Sequence, residues 1–252
     1  MYLCISTQRS CARAWVAAAS AVIQAGDEAY NVVIDVEAPS NLDDADNAVI
    51  TLVDRFLRDH EENPVVTVAN TIFPKSTYQA HGVPDFYAVE HRNHDRLTVT
   101  KRWGRYFERM TRRVDGEGQT YNPLAKIIEK LRNQNGARTP FKAAYELPTY
   151  NPDLDSNRYR DAPCLSYLSF KRHPEHGLTL TALYRNHSYI TRCLGNLIGL
   201  GRLLAFVAKE AGLNVGSLTC ISTHAELDTK ANHWGIEDAR GLVQQAAGLL
   251  KG

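Results

Sequence analysis

No run of about eighteen apolar residues occurs in the chain, and the first residues, with Gln8, Arg9 and Arg13 among polar neighbours, lack the basic-then-apolar layout of a secretory leader. The expectation is a cytoplasmic protein with no membrane partner. Charge of neither sign prevails: 29 Lys and Arg face 28 Asp and Glu, for a formal net charge of +1. No global basicity argues for nucleic acid, and any anion site must be local. The 5 cysteines (Cys4, Cys11, Cys164, Cys193, Cys220) are odd in number and scattered, which favours reduced thiols over a disulfide framework. None forms a C-x-x-C pair, so no structural metal is expected. Internal repeats and low-complexity segments are also missing. What is present is ordinary for a globular chain: 252 residues, 44% hydrophobic and 23% charged, enough for a single domain over 1–252 with one core.

Residues 11–25 are rich in helix formers and end at Gly26, a natural stop. Asn31 to Val36, rich in β-branched residues, reads as a strand. Asp43 to Asp59 places Val49, Ile50, Leu52, Val53, Phe56 and Leu57 at helical spacing behind acidic caps. Pro64 to Ala69 reads as a second strand. Residues 75–121 carry aromatics and a basic run (Lys101, Arg102, Arg105, Arg109, Arg112, Arg113), either an exposed helix face or a border for an anionic ligand. Asn122 to Arg132 is an amphipathic helix with Pro near its start. Asn196 to Ala211 is apolar enough for a buried helix, and Gly195, Gly199 and Gly201 permit close backbone approach near its start. A strand over 215–222 and a helix over 236–250 complete an α/β pattern, a mixed sheet flanked by helices.

The chemistry concentrates in residues 150–196. Cys164 follows Pro163, whose ring fixes φ, and opens an apolar segment (Leu165, Tyr167, Leu168, Phe170). A second segment, Leu178 to Tyr184, runs into Arg185, and Lys171 to Gly177 between them reads as a hairpin loop. Cys164 and Arg185 are therefore expected on adjacent strands.

This stretch resembles the thymidylate synthase family through Tyr150-Asn151-Pro152, Ala162-Pro163-Cys164, Tyr184-Arg185-Asn186 and Asn196, followed by Gly212 to Gly216 and by Ser222-Thr223-His224-Ala225-Glu226. The similarity covers roughly residues 120–227. It implies a thymidylate synthase-like fold, a homodimer formed through the sheet face, and one-carbon transfer to carbon 5 of a pyrimidine nucleoside monophosphate, with methylenetetrahydrofolate as co-substrate. Cys164 would add to carbon 6, and Arg185 would hold the phosphate, lower the thiol's pKa and have the Asn186 amide beside it. Asn196 would read a uracil edge, and His224 the sugar hydroxyl. Arg138 would reach across the dimer to the partner's phosphate. Trp103 stands where the family has a tyrosine near the nucleophile, and Ser188 where it has an aspartate that contacts the folate.

Each residue has a plainer reading: a buried free thiol for Cys164, a surface ion pair for Arg185, a helix cap for Asn196, a satisfied strand histidine for His224. Several positions depart from the family. No Arg lies between Arg13 and Arg55, and Asp54, the acid nearest to the expected catalytic glutamate, suits a solvated helix face. Glu226 replaces a tyrosine and can accept from two hydroxyls, which suits a ribonucleotide. Ser188 and the final residues Ala247 to Gly252 weaken the folate site and favour hydroxymethyl over methyl transfer. The competing readings are a nucleotide-binding relative without catalysis and a cysteine hydrolase using Cys164 with His187 or His224.

Overall fold

The computed structural model describes residues 2–97, 105–139, 141–158, 162–230 and 233–251. Its amino-terminal part runs β1 (Leu3–Cys4), α1 (Cys11–Gln24), β2 (Glu28–Val36), α2 (Asp44–Asp59), α3 (Val65–Ile72), α4 (Lys75–His81) and α5 (Asp85–Leu97). A middle part holds α6 (Tyr106–Thr111), the small hairpin β3 (Arg113–Val114) and β4 (Thr120–Tyr121), α7 (Pro123–Asn133), β5 (Glu146–Pro148) and α8 (Pro152–Asp155). Then come β6 (Leu165–His173), β7 (Gly177–Tyr184), β8 (His187–Ser188), a π-helical turn (Tyr189–Cys193), α9 (Leu194–Ala211), β9 (Val215–Glu226) and α10 (Ile236–Leu249).

The main sheet has the order β1-β2-β9-β7-β6-β5, with β8 also paired to β9. It is mixed: β9 lies antiparallel to β2 and parallel to β7, and β6 is antiparallel to both β7 and β5. Burial alternates along β7, where Leu178, Leu180, Ala182 and Tyr184 turn inward and Thr179, Thr181 and Leu183 turn outward. The inward set meets α9, whose residues are nearly all buried, while α1 packs beside it with Trp15 fully buried. Trp15 Nε1 donates to Tyr189 O at 2.6 Å, which anchors the π turn to α1. The stretch Tyr189–Ala211 is long enough, and apolar enough on average, to cross a membrane, but 83% of its most apolar part is buried inside the fold as a core helix.

One element differs outright. Residues 65–72 form helix α3, not a strand, although they are rich in valine. Local β preference loses here because Val65, Val68, Ala69 and Ile72 fall at helical spacing and are all buried. Their partner is the glycine face of α9: a Cβ on Gly195 would lie 2.6 Å from Val68 Cβ, and one on Gly199 would lie 2.8 Å from Ala69 O. Only glycine lets the two helices approach so closely. Asp54 completes the arrangement by accepting from Val65 N at 2.7 Å, so this acid caps α3 and is neither a solvated face nor a catalytic group.

Candidate active site

Cys164 lies immediately before β6, and its carbonyl accepts from Arg185 N at 2.9 Å, as the expected pairing of the two segments requires. The same stretch is fixed from the other side by a phenol. Tyr106, the first residue of α6, accepts at its hydroxyl from Cys164 N at 3.2 Å and from Leu165 N at 3.3 Å. Sequence reasoning placed the aromatic neighbour of the nucleophile at Trp103, which lies outside the described residues. Tyr106, three positions on, supplies a hydroxyl there, and its sequence signal was an aromatic pair, Tyr106-Phe107, inside the basic run.

Burial pushes the Cys164 thiol above its ordinary pKa; Arg185 and Arg192 pull it down, and Glu226 adds to the rise. The expected effect of Arg185 is therefore present in sign but outweighed by desolvation. The Arg185 guanidinium donates from Nε to Pro163 O at 3.1 Å and from Nη2 to Ala162 O at 3.2 Å. Among the described residues it meets no carboxylate, so it is not a surface ion pair. Arg192, at the end of the π turn, is a second cation near the thiol that sequence reasoning missed; its signal was a lone charge in the otherwise apolar run Ile190 to Leu194.

The remaining polar candidates sort into two networks. In the first, Asn186 Nδ2 donates to Glu226 Oε1 at 3.3 Å and Ser188 Oγ donates to the same oxygen at 3.4 Å. The Asn186 carbonyl meets His224 Nδ1, and His224 Nε2 faces Glu28 Oε1 at 2.8 Å. Asn186 thus turns toward His224 and Glu226 and is not presented beside the Arg185 guanidinium. In the second network Asn196, 4% exposed, donates from Nδ2 to His187 Nε2 at 3.0 Å, and His187 Nδ1 lies 2.9 Å from Ser222 Oγ. An amide nitrogen can only donate, so Nε2 accepts and Nδ1 carries the proton. His187 stacks on Tyr184 at 4.1 Å, and burial lowers its pKa to about 3, which keeps the ring neutral. Asn196 sits inside α9 and does not cap it. Neither His187 nor His224 hydrogen-bonds Cys164, which removes the hydrolase reading's required contact.

Two cavities of opposite character flank this region. One, of about 580 Å³, is lined by Asp27, Glu28, Glu226 and Asp228 against Arg192 and Lys230, with Ser188 and Thr191 in its wall. The other, a cleft of about 1530 Å³, is lined by Arg109, Arg112, Arg113, Arg158 and Arg185 against Asp153, with Tyr121, Tyr150 and Tyr167 between them. Lys101 and Arg102 of the basic run lie outside the described residues; in its second half Arg109 is held by Asp155 at 2.6 Å and Arg112 by Asp95 at 2.5 Å, so these two are not a free helix face. Arg113 rests on the carbonyls of Arg109 and Pro148. Arg138 is exposed after α7 and lines neither cavity.

A thiol, a phenol, two arginines and a polar side-chain cluster around one strand end of a mixed α/β sheet make up the candidate site. No family model matches the chain. It is 32% identical over 101 residues to a protein of Methanococcoides burtonii named "Putative thymidylate synthase", covering 40% of this chain and 43% of that protein. A Methanopyrus kandleri protein of the same name is 32% identical over 106 residues, 41% of this chain and 47% of that protein. A longer match, 26% identical over 197 residues, joins 70% of this chain to 85% of a Methanocaldococcus jannaschii protein, again of that name. The chain thus spans under half the length of the first two relatives. Over these stretches the chain resembles proteins of that name.

Proposed function

We propose that this chain transfers a one-carbon unit to carbon 5 of a uridine-type monophosphate in the cytoplasm, working as a homodimer formed through the outward sheet face, with Cys164 as nucleophile. The observation that carries the reading is Cys164 held between the Tyr106 hydroxyl and the Arg185 backbone, with the Asn186, Ser188, His224 and Glu226 cluster next to it. In this scheme the Cys164 thiolate adds to carbon 6, and the displaced π pair makes carbon 5 nucleophilic. Carbon 5 then takes the one-carbon unit from methylenetetrahydrofolate and loses its proton. Cleavage of the bond from that carbon to the folate nitrogen leaves an exocyclic methylene. Hydride from the departing tetrahydrofolate, which is thereby oxidised to dihydrofolate, gives a methyl product, whereas addition of water with release of tetrahydrofolate gives a hydroxymethyl product, and expulsion of the thiolate restores the double bond. The phosphate belongs to Arg185 in the arginine cleft, reinforced across the dimer by the partner copy's arginine at position 138. Glu226 and His224 take the sugar hydroxyls, and Asn196 the base edge. Ser188, already donating to Glu226, is a poor folate contact, which fits the hydroxymethyl product better than the methyl.

A second reading, a nucleotide-binding relative without catalysis, is favoured by the burial that holds the Cys164 thiol protonated in the absence of ligand. Release of tritium from carbon 5 of uridine and deoxyuridine monophosphates separates the two. Release that requires methylenetetrahydrofolate and vanishes in Cys164→Ala is the expected result. Binding of nucleotide with no release from the native protein would establish the second reading instead.

A further inference from the structure

On the helical side of the molecule, away from Cys164, a cavity of about 300 Å³ lies between α4 and α9. Its walls include Leu42, Phe73, Tyr78, Ile198 and Phe206, and three cations, Lys75, Arg202 and Lys209, border it. Among the described residues no carboxylate lines it, although acidic and basic residues are almost equal in number over the chain. The aromatic walls are mutually packed: Phe73 and Phe206 lie 4.9 Å apart, and Tyr78 meets Phe206 edge-on at the same distance.

Arg202 is the unusual member. It is partly buried on α9, where its Nη1 donates to Asn70 Oδ1 at 3.2 Å. Burial without a counter-ion disfavours its charged form. A guanidinium normally accepts that cost only with a planar anion to receive its paired N–H groups. Lys209 lies 5.2 Å over the Tyr78 ring, and the neighbouring Glu210 carboxylate accepts from the Tyr78 hydroxyl at 2.5 Å. The site therefore combines an apolar body pocket with an unmatched cationic head group, at the lower end of the size range for small-molecule cavities.

We propose that this cavity binds an amphipathic monoanion, a carboxylate on an aryl or short acyl body, with Arg202 receiving the carboxylate and Phe73, Tyr78 and Phe206 enclosing the body. The site shares no lining residue with either cavity beside Cys164 and does not depend on the nucleotide chemistry proposed above.

The test uses the full chain and the fluorescent aryl sulfonate anilinonaphthalene sulfonate as probe. We expect saturable binding at one site per chain, with displacement by decanoate if the body is acyl or by phenylacetate if it is aryl. Decanol, which has the chain without the charge, should displace at least tenfold less well. Arg202→Met keeps the stem, removes the charge and should weaken binding at least tenfold. Ala205→Phe, which fills the pocket and leaves Arg202 in place, should abolish binding, and it decides the question should Arg202→Met fail to fold. Absence of saturable binding, equal displacement by decanol, or unchanged affinity in a folded Ala205→Phe protein would each overturn the proposal.

Discussion

The cleft and the cavity beside Cys164 both open to solvent, yet their charged lining residues are of opposite sign. In the cleft five arginines face one aspartate; in the smaller cavity four carboxylates face two cations. The chain as a whole is almost neutral at +1, so the separation of charge is local and could not be read from composition. On the function proposed it would also orient the ligand, drawing an anionic group to the Arg185 side and a hydroxyl-rich group to the Glu226 side, with a ring between the two near the thiol that senses both charges.

The largest effect should come from breaking the positive side. Arg185→Met leaves the backbone bond to Cys164 in place while removing the one guanidinium of the cleft that adjoins the nucleophile. Uridine monophosphate affinity should fall about a hundredfold, the scale of a bidentate charge-assisted contact. Lys230→Gln, a cation of the acidic cavity, should change it by less than about threefold. Calorimetric titration of both variants checks the pair, and equal losses would mean that the two cavities do not divide the nucleotide as argued.

A second test concerns the neutral wall behind the site. His187 is fully buried and its pKa falls from 6.5 to about 3 because burial opposes its charge. The unfolded chain therefore binds a proton that the folded chain refuses between those two values. Below about pH 6.5 this group should cost stability as acidity rises, by at most about 1.4 kcal/mol per pH unit, and the loss should level off once the folded ring protonates near pH 3. His187→Asn removes the titration, and its urea-melting stability should depend less steeply on pH between 6.5 and 4. An unchanged slope would show that His187 is already charged, which would place a cation against Asn196 and destroy the contrast between the cavities.

Much of this was legible in the chain itself, for identifiable reasons. Helices α1, α2, α7, α9 and α10 carry long apolar stripes with clear ends, such as Gly212 at φ +69° closing α9. The pairing of Cys164 with Arg185 followed from two apolar segments and a short loop between them. Helix α3 was illegible because its valines favour a strand in isolation, and only the glycines of α9, more than 120 residues away, make a helix the better-packed choice. Tyr106 and Arg192 were missed for a related reason: each acts on Cys164 from another element, and nothing in local spacing records such a contact. The cluster of Asn186, Ser188, His224 and Glu226 was named residue by residue, but its internal hydrogen bonding depends on the parallel pairing of β8 with β9.

The smallest expected effect is the most direct reading of the contrast, because Cys164 lies within reach of both fields. Below the thiol's pKa, the rate of alkylation by iodoacetamide follows the thiolate fraction and rises about tenfold per pH unit. Burial sets a high starting point; Arg185 and Arg192 lower it and Glu226 raises it. At pH 8, Arg185→Met should therefore slow alkylation, and Glu226→Gln should accelerate it, each by about threefold for half a pKa unit. Raising the salt concentration from about 0.05 M to about 0.5 M should shrink both differences, since a shorter screening length weakens the more exposed Arg185 charge first. Opposite signs that converge at high salt would show two opposed fields meeting at one sulfur. Changes of the same sign would mean that the variants act by altering access to the thiol, and the electrostatic division of the site would then have to be abandoned.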